Sequence, residues 1–584
     1  MFDWYVLGSF VGYLALMLGI GFFFSRRQES LGDYYLGGRR MNKWVVALSA
    51  QASDMSGWLL MGLPGAIYVG GFSEAWIGIG LLIGTYLNWK IVAQRLRVYS
   101  RACRDSITIP DFICNRFRDR TGISRIIAAV IILVFFTFYT ASGFVSCAKL
   151  FTATFGIPET VSFLGMTMTG YQLCLWIGAI VVVSYTLLGG YMAVCWTDFV
   201  QGSLMFVAIV IVPAIVVSGA GGFAAAVDAI NGINSQLQSL FTTAFRFAPS
   251  ADGGPNVLQA CGNAYGFIGL ASCLAWGLGY FGMPHILVRF MSIDSPTEIR
   301  GSRRIAMTWV TISLAAATAI GLVFHLYLQQ RGLTIADVGN DPEKCFMVMI
   351  NGIFQGGFVV RVFAGILLSS IMAAIMSTAD SQLLVSASSF SNDIYKVLLR
   401  KKASNRELIA VSRLAVGAVA LVAIAMAMNT ESDFFKVVMK MVAFAWAGFG
   451  AAFGPLILLA LFWKRTNLSG AVAGMVTGAA TCFFWKFSAF AATAREASSA
   501  SIFHLYELAP GFILALVATV VVSLVTKRPS DEMLAEFDEV SGNIPKDRYL
   551  GKVRALLKDV LADDKVELEE AQRIKEMLED LPDE

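Results

Sequence analysis

Residues 50–58 read AQASDMSGW and residues 62–65 read GLPG, both inside an otherwise apolar run at 44–70. A run of that length is long enough to cross a bilayer as one helix. Ser, Asp and Gly are weak helix formers, and three polar side chains next to Gly57 favour an interruption in mid-span. Carbonyls released there offer oxygen ligands to a bare cation, as the broken helices of many transporters do. The plainer alternative is a kinked helix whose hydroxyls bond back to their own backbone. Asp54 favours the functional reading, because a carboxylate at that depth needs a partner.

A second run, 263–288, contains WGLGYFGMPH at 276–285. Three glycines and a proline within nine residues disfavour a continuous helix. Trp276 and Tyr280, four apart, share a helical face and suit the wall of an apolar pocket; simple packing is the alternative. In a third run, SSIMAAIMSTADS at 369–381, Ser377 and Thr378 present adjacent hydroxyls. Ala374 lies one turn earlier and has a carbonyl to share, although serines in membrane helices also serve helix packing.

The 584-residue chain is 57% hydrophobic and 15% charged, with a mean hydropathy of +0.66. Soluble domains carry about a quarter charged residues, so the solvent of this chain is lipid. Candidate spans are 4–24, 44–70, 74–97, 124–150, 171–190, 193–217, 263–288, 304–328, 358–397, 407–428, 435–463, 469–490 and 509–526. The ninth is longer than a bilayer needs and is expected to bend or to leave the lipid. The first is expected to be a retained helix and not a signal peptide.

Lys and Arg concentrate in alternate loops: 25–43, about 90–125, 289–304, 393–413 and Lys464–Arg465. That alternation favours thirteen spans, with the N-terminus outside and the C-terminus cytoplasmic. Residues 529–584 hold 17 Asp or Glu against 8 Lys or Arg. Runs 553–561 and 566–578 there read as amphipathic helices of a cytoplasmic tail. The broken second and seventh spans stand five apart, which suggests two repeats of inverted topology, 44–217 and 263–463. Nine scattered cysteines without a CxxC pair and three separated histidines suggest neither a zinc site nor a disulfide framework. The polar residues form no nucleophile–base pattern, so an enzyme is not expected.

Several stretches carry a family resemblance: DYYLGGR (33–39), ALSAQASDMSGWLLMGLPGA (47–66), YTLLGGYMAVCWTD (185–198), GLGYFGMPHILVR (277–289), AAIMST (373–378) and GPLILLALFWKRTNLSG (454–470). On these the chain resembles the sodium/solute symporters, most closely the bacterial members that carry proline, over roughly residues 1–527. The resemblance implies an all-α polytopic membrane protein of leucine-transporter type, with a five-plus-five inverted repeat and about thirteen helices. The acidic tail, 528–584, lies outside it.

The resemblance also implies a sodium ion held by the carbonyls of Ala52, Met55 and Ala374 and the hydroxyls of Ser377 and Thr378. Asp54 would matter for sodium affinity. L-Proline would meet Ser56, Gly57, Trp276, Tyr280 and Pro284, with Tyr139 nearby, and Arg39 and Asp198 match positions tied to gating or ion release. Met283 departs from the pattern, standing where glutamine is usual; a thioether donates no hydrogen bond. The implied activity is sodium-coupled import of L-proline by alternating access, one sodium per proline, in a bacterial inner membrane. The expected partners are sodium, proline or a similar small amino acid, and the lipid bilayer, with no nucleic acid. Other small amino acids or organic acids, or a membrane-bound sensor signalling through the tail, stand as alternatives, and the oligomeric state is not fixed by the sequence.

Overall fold

The computed structural model describes residues 3–25, 31–163, 165–248, 257–498 and 501–542. Among the described residues, eleven helices are long and apolar enough to cross a membrane. A twelfth crossing is the pair Phe267–Gly282 and Pro284–Ser292, bent by 46°. The remaining expected span, 44–70, falls short as a single helix because it is divided into Lys43–Asp54 and Trp58–Gly70. The protein is therefore an all-helical, multi-pass membrane protein, and both interruptions fall where glycine, proline and polar residues had suggested them. Only two short hairpins, Thr160–Phe163 with Met166–Thr169 and Thr242–Ala248 with Val257–Ala264, interrupt the helical architecture among the described residues.

The ninth span meets its expectation by leaving the lipid, and two other features differ from expectation. The ninth span neither breaks nor bends sharply: Phe358–Leu399 is one 42-residue helix, α-helical to Ser388 and wider-turned over Ser389–Leu399. At ~1.5 Å per residue it is about twice as long as the hydrocarbon core is thick, so one end projects. The basic loop at 90–125 is largely helical, since the third span continues through a wide turn, Asn88–Val92, into Ala93–Ala102, and Ile109–Arg116 follows. Arg289, counted from sequence among the loop charges, is buried at the end of the seventh span.

Helix starts follow ordinary capping chemistry. Asn42 accepts from the backbone of Trp44 and Val45, both at 3.0 Å, to open the second span. Asp119 accepts from Thr121, Gly122 and Ser124 ahead of the fourth span, Ile123–Phe155. The eleventh span, Val438–Phe462, is the most enclosed, with 83% of its apolar window buried. It packs against the interrupted part of the seventh span, the fourth span, Leu468–Phe487 and Leu508–Val525. The first span is at the other extreme with 28% buried, and its exposed Leu16, Phe22 and Phe23 suit a lipid-facing surface.

Close backbone approach at the centre depends on glycine. A Cβ on Gly84 of the third span would lie 2.2 Å from the Gly277 carbonyl, and one on Gly282 would lie 2.2 Å from that of Phe449. Beyond the last span, Asp531–Gly542 forms a helix that buries Met533, Phe537 and Val540. Glu536 of that helix pairs with Arg118, while Arg95 and Arg116 lie over the Phe537 ring. The expected tail helices at 553–561 and 566–578 lie outside the described residues.

Candidate functional site

The helix of the second span lapses at Met55, whose ψ of 19° departs from the α value, and resumes as a wide turn over Trp58–Gly62. The lapse leaves the Ala52 carbonyl facing the ninth span, where it accepts from the Ser377 hydroxyl at 2.8 Å and the Thr378 hydroxyl at 3.5 Å. Both hydroxyls also reach the Ala374 carbonyl, at 3.2 and 3.1 Å. Four oxygens named from the sequence thus converge on one buried point between the second and ninth spans. Uncharged carbonyl and hydroxyl oxygens suit a hard monovalent or divalent cation. Met55, the fifth residue of the set, is fully buried at the break itself.

The seventh span breaks at Met283, which is extended (φ −75°, ψ 107°), after tight turns over Trp276–Gly282. The carbonyls freed by those turns find side-chain donors: Trp446 Nε1 bonds to Trp276 at 2.8 Å, and Asn88 Nδ2 to Tyr280 at 3.0 Å. Such partners keep an irregular backbone tolerable within a membrane. The Tyr280 hydroxyl donates to Asp54 Oδ2 at 2.5 Å and so joins the two broken spans, while Asp54 Oδ1 has no partner among the described residues. Trp276 stands 6.1 Å from Trp58 between ring centroids, and Tyr280 meets Trp446 edge-on at 5.0 Å.

Beside the oxygen cluster lies a cavity of about 10 Å³ bounded by Ser56, Gly57, Tyr139, Thr378 and Gln382, among others. That is roughly room for one water, so the wall must part before an amino acid fits. Of the expected substrate residues, Ser56, Gly57 and Tyr139 border this cavity. Trp276 and Tyr280 instead both pack against Trp446 at the seventh-span break, and Pro284 opens that span's second half.

Each end of the second span carries a polar network. At the Lys43 end, Arg39, in a left-handed turn (φ 54°), bonds to Asp105 (2.8 Å), Ser100 (3.1 Å), the Met291 carbonyl (2.6 Å) and the Ser106 carbonyl (2.8 Å). Further in, Asp198 accepts from Ser49 at 2.7 Å and pairs with Arg289 at 3.0 Å, and Arg289 also donates to Ser381 at 2.5 Å. Sequence reasoning missed Arg289 and Ser381, although both lay in stretches it had singled out. At the opposite end, Pro342 packs on Gly65. Glu343 there accepts from Lys149 (2.6 Å) and from the backbone of Val438 and Met439 (3.1 and 3.0 Å).

Interrupted spans that meet at an oxygen-lined point are an arrangement that membrane transporters use. The Sodium:solute symporter family profile matches residues 34–478. The sodium/proline symporter of Escherichia coli (strain K12) is 42% identical over 538 residues, 92% of this chain and 96% of that protein. The high-affinity proline transporter PutP of Bacillus subtilis (strain 168) is 44% identical over 523 residues, 90% and 98% of the two chains. A solved substrate-bound, outward-open structure of a Na+-coupled sialic acid symporter shares the fold, with a TM-score of 0.67 at 19% identity over 91% of this chain and all of that one. The chain belongs to the sodium:solute symporter family, and is a sodium-coupled solute symporter.

Proposed function

We propose that the chain imports L-proline with one sodium ion per molecule, by alternating access across a bacterial inner membrane, with its N-terminus outside and its C-terminus in the cytoplasm. The observation that carries this reading is the convergence of the Ser377 and Thr378 hydroxyls on the Ala52 and Ala374 carbonyls, across the break in the second span. Sodium would take those four oxygens and the Met55 carbonyl, bracing the second span against the ninth. Asp54, tied to Tyr280, would link the state of the ion site to the seventh span. Proline would be held by Ser56, Gly57 and Tyr139 on one side and by Trp276, Tyr280 and Pro284 on the other. Each ligand then raises affinity for the other by a shared coupling free energy.

The two halves of the core, 44–217 and 263–463, would rock against each other. Arg39 and the Asp198–Arg289 pair would part on the cytoplasmic side, and Glu343 and Lys149 on the outer side. One charge crossing 100 mV releases about 2.3 kcal/mol, and a tenfold sodium gradient adds roughly 1.4 kcal/mol. Together they support accumulation on the order of several hundredfold. Proteins at about 40% identity whose names specify proline support the substrate. The buried thioether of Met283 favours a second reading, a different small amino acid.

Purified protein in liposomes should take up labelled proline when sodium is high outside, and excess unlabelled proline should compete better than other amino acids. Uptake indifferent to a collapsed sodium gradient would refute the coupling. Stronger competition by another solute would reassign the substrate.

A further inference from the structure

A proline carboxylate accepts hydrogen bonds and donates none, so its site must supply donors, yet no charged residue lines the cavity beside the oxygen cluster. Most hydroxyls there are already committed to carbonyls. Ser142 donates to Tyr139 at 2.6 Å, Ser146 to Ser142 at 2.8 Å, Thr378 to Ala374 at 3.1 Å and Tyr139 to Asp54 at 3.4 Å. Ser56 Oγ accepts from the Trp58 backbone at 3.3 Å. The Gln382 amide is different. Its side chain is 1% exposed, its oxygen accepts from Thr140 at 3.4 Å, and its nitrogen has no partner among the described residues.

Gln382 stands one turn beyond Thr378, so the two side chains share one face of the ninth span, and both border the cavity. A buried amide donor without an acceptor is unfavourable unless a ligand completes it. Met283, at the break in the seventh span, is buried and has no proton to offer. We propose that Gln382 is a substrate-binding residue whose side-chain N–H groups bind the carboxylate of the transported amino acid, one turn from the sodium ligands. This rests on the proline-symport reading and assigns the recognition of one end of that substrate. It also places the carboxylate beside the cation, so that ion and substrate favour each other directly through charge.

The test compares wild type with Gln382→Ala and Gln382→Glu for proline uptake, for inhibition by prolinamide, which lacks the carboxylate charge, and for sodium binding in the absence of proline. Gln382→Ala should raise the KM for proline roughly tenfold or more and narrow the preference for proline over prolinamide. Its sodium binding without proline should stay at the wild-type level. Gln382→Glu, which keeps the size and places a negative charge at the donor, should weaken proline further and prolinamide less. It carries the same test if the alanine variant fails to reach the membrane. An unchanged KM, or equal weakening of proline and prolinamide, overturns the proposal and identifies Gln382 as a packing residue. A wild-type protein that takes up no proline overturns the symport reading itself, and this assignment with it.

Discussion

Ser377 and Thr378 each reach two carbonyls, one on their own helix and one across the break. Replacing either by Ala removes one hydroxyl oxygen and should raise the sodium concentration for half-maximal uptake about tenfold. Thr378→Ser should retain most of the affinity. An unchanged sodium requirement in both alanine variants would remove them from the ion site. The pair was legible in the sequence because adjacent hydroxyls are conspicuous within an apolar helix. Arg289 was not, since a basic residue at the end of an apolar run looks like a loop charge. Its partner Asp198 is 91 positions away, and only folding reveals that the two form a buried ion pair.

At the scale of elements, glycine and proline content located both breaks, but not their form. The wide turns at Trp58–Gly62 and Asn88–Val92 carry no local signature, because what stabilises them is contact with neighbouring spans. Gly84 shows how tight that contact is. Gly84→Ala sets a methyl against the Gly277 carbonyl and should abolish transport while lowering the melting temperature of the detergent-solubilised protein. Wild-type uptake by this variant would mean that the third and seventh spans are not so closely packed.

The network around Glu343 is similarly specific. Glu343→Ala leaves Lys149 with Asp341 alone, at 2.9 Å, and uncaps the eleventh span, at a cost of about 1–3 kcal/mol. It should appear as a lower melting temperature. Asp119 gives a pH signature. Burial works against its charge, but hydrogen bonds from Thr121 and Ser124 prevail and hold the carboxyl below its ordinary value. A depressed folded value means that the stabilisation is complete above the unfolded pKa near 3.9 and is lost as pH falls through the lower folded one. Asp119→Asn should therefore lower stability at neutral pH and flatten its decline in acid.

On the scale of the whole molecule, hydropathy located the membrane class and twelve of the thirteen expected spans, the other being divided, because lipid imposes that pattern along the entire chain. The helix Asp531–Gly542 was harder to read. Its acidic composition resembles a solvated tail, yet Phe537 packs beneath Arg95 and Arg116. Phe537→Ala should speed amide exchange across that helix by about tenfold or more; unchanged exchange would argue that the helix is not docked.

The proposed sodium site is one junction, where the interrupted second span meets the ninth. Equilibrium binding of labelled proline to the purified protein, titrated with sodium at constant ionic strength, examines that junction most directly. The expected result is affinity that climbs with sodium in the wild type and needs about ten times more sodium in Ser377→Ala. Proline binding equally tight with choline in place of sodium, or a titration unmoved by the substitution, would contradict it.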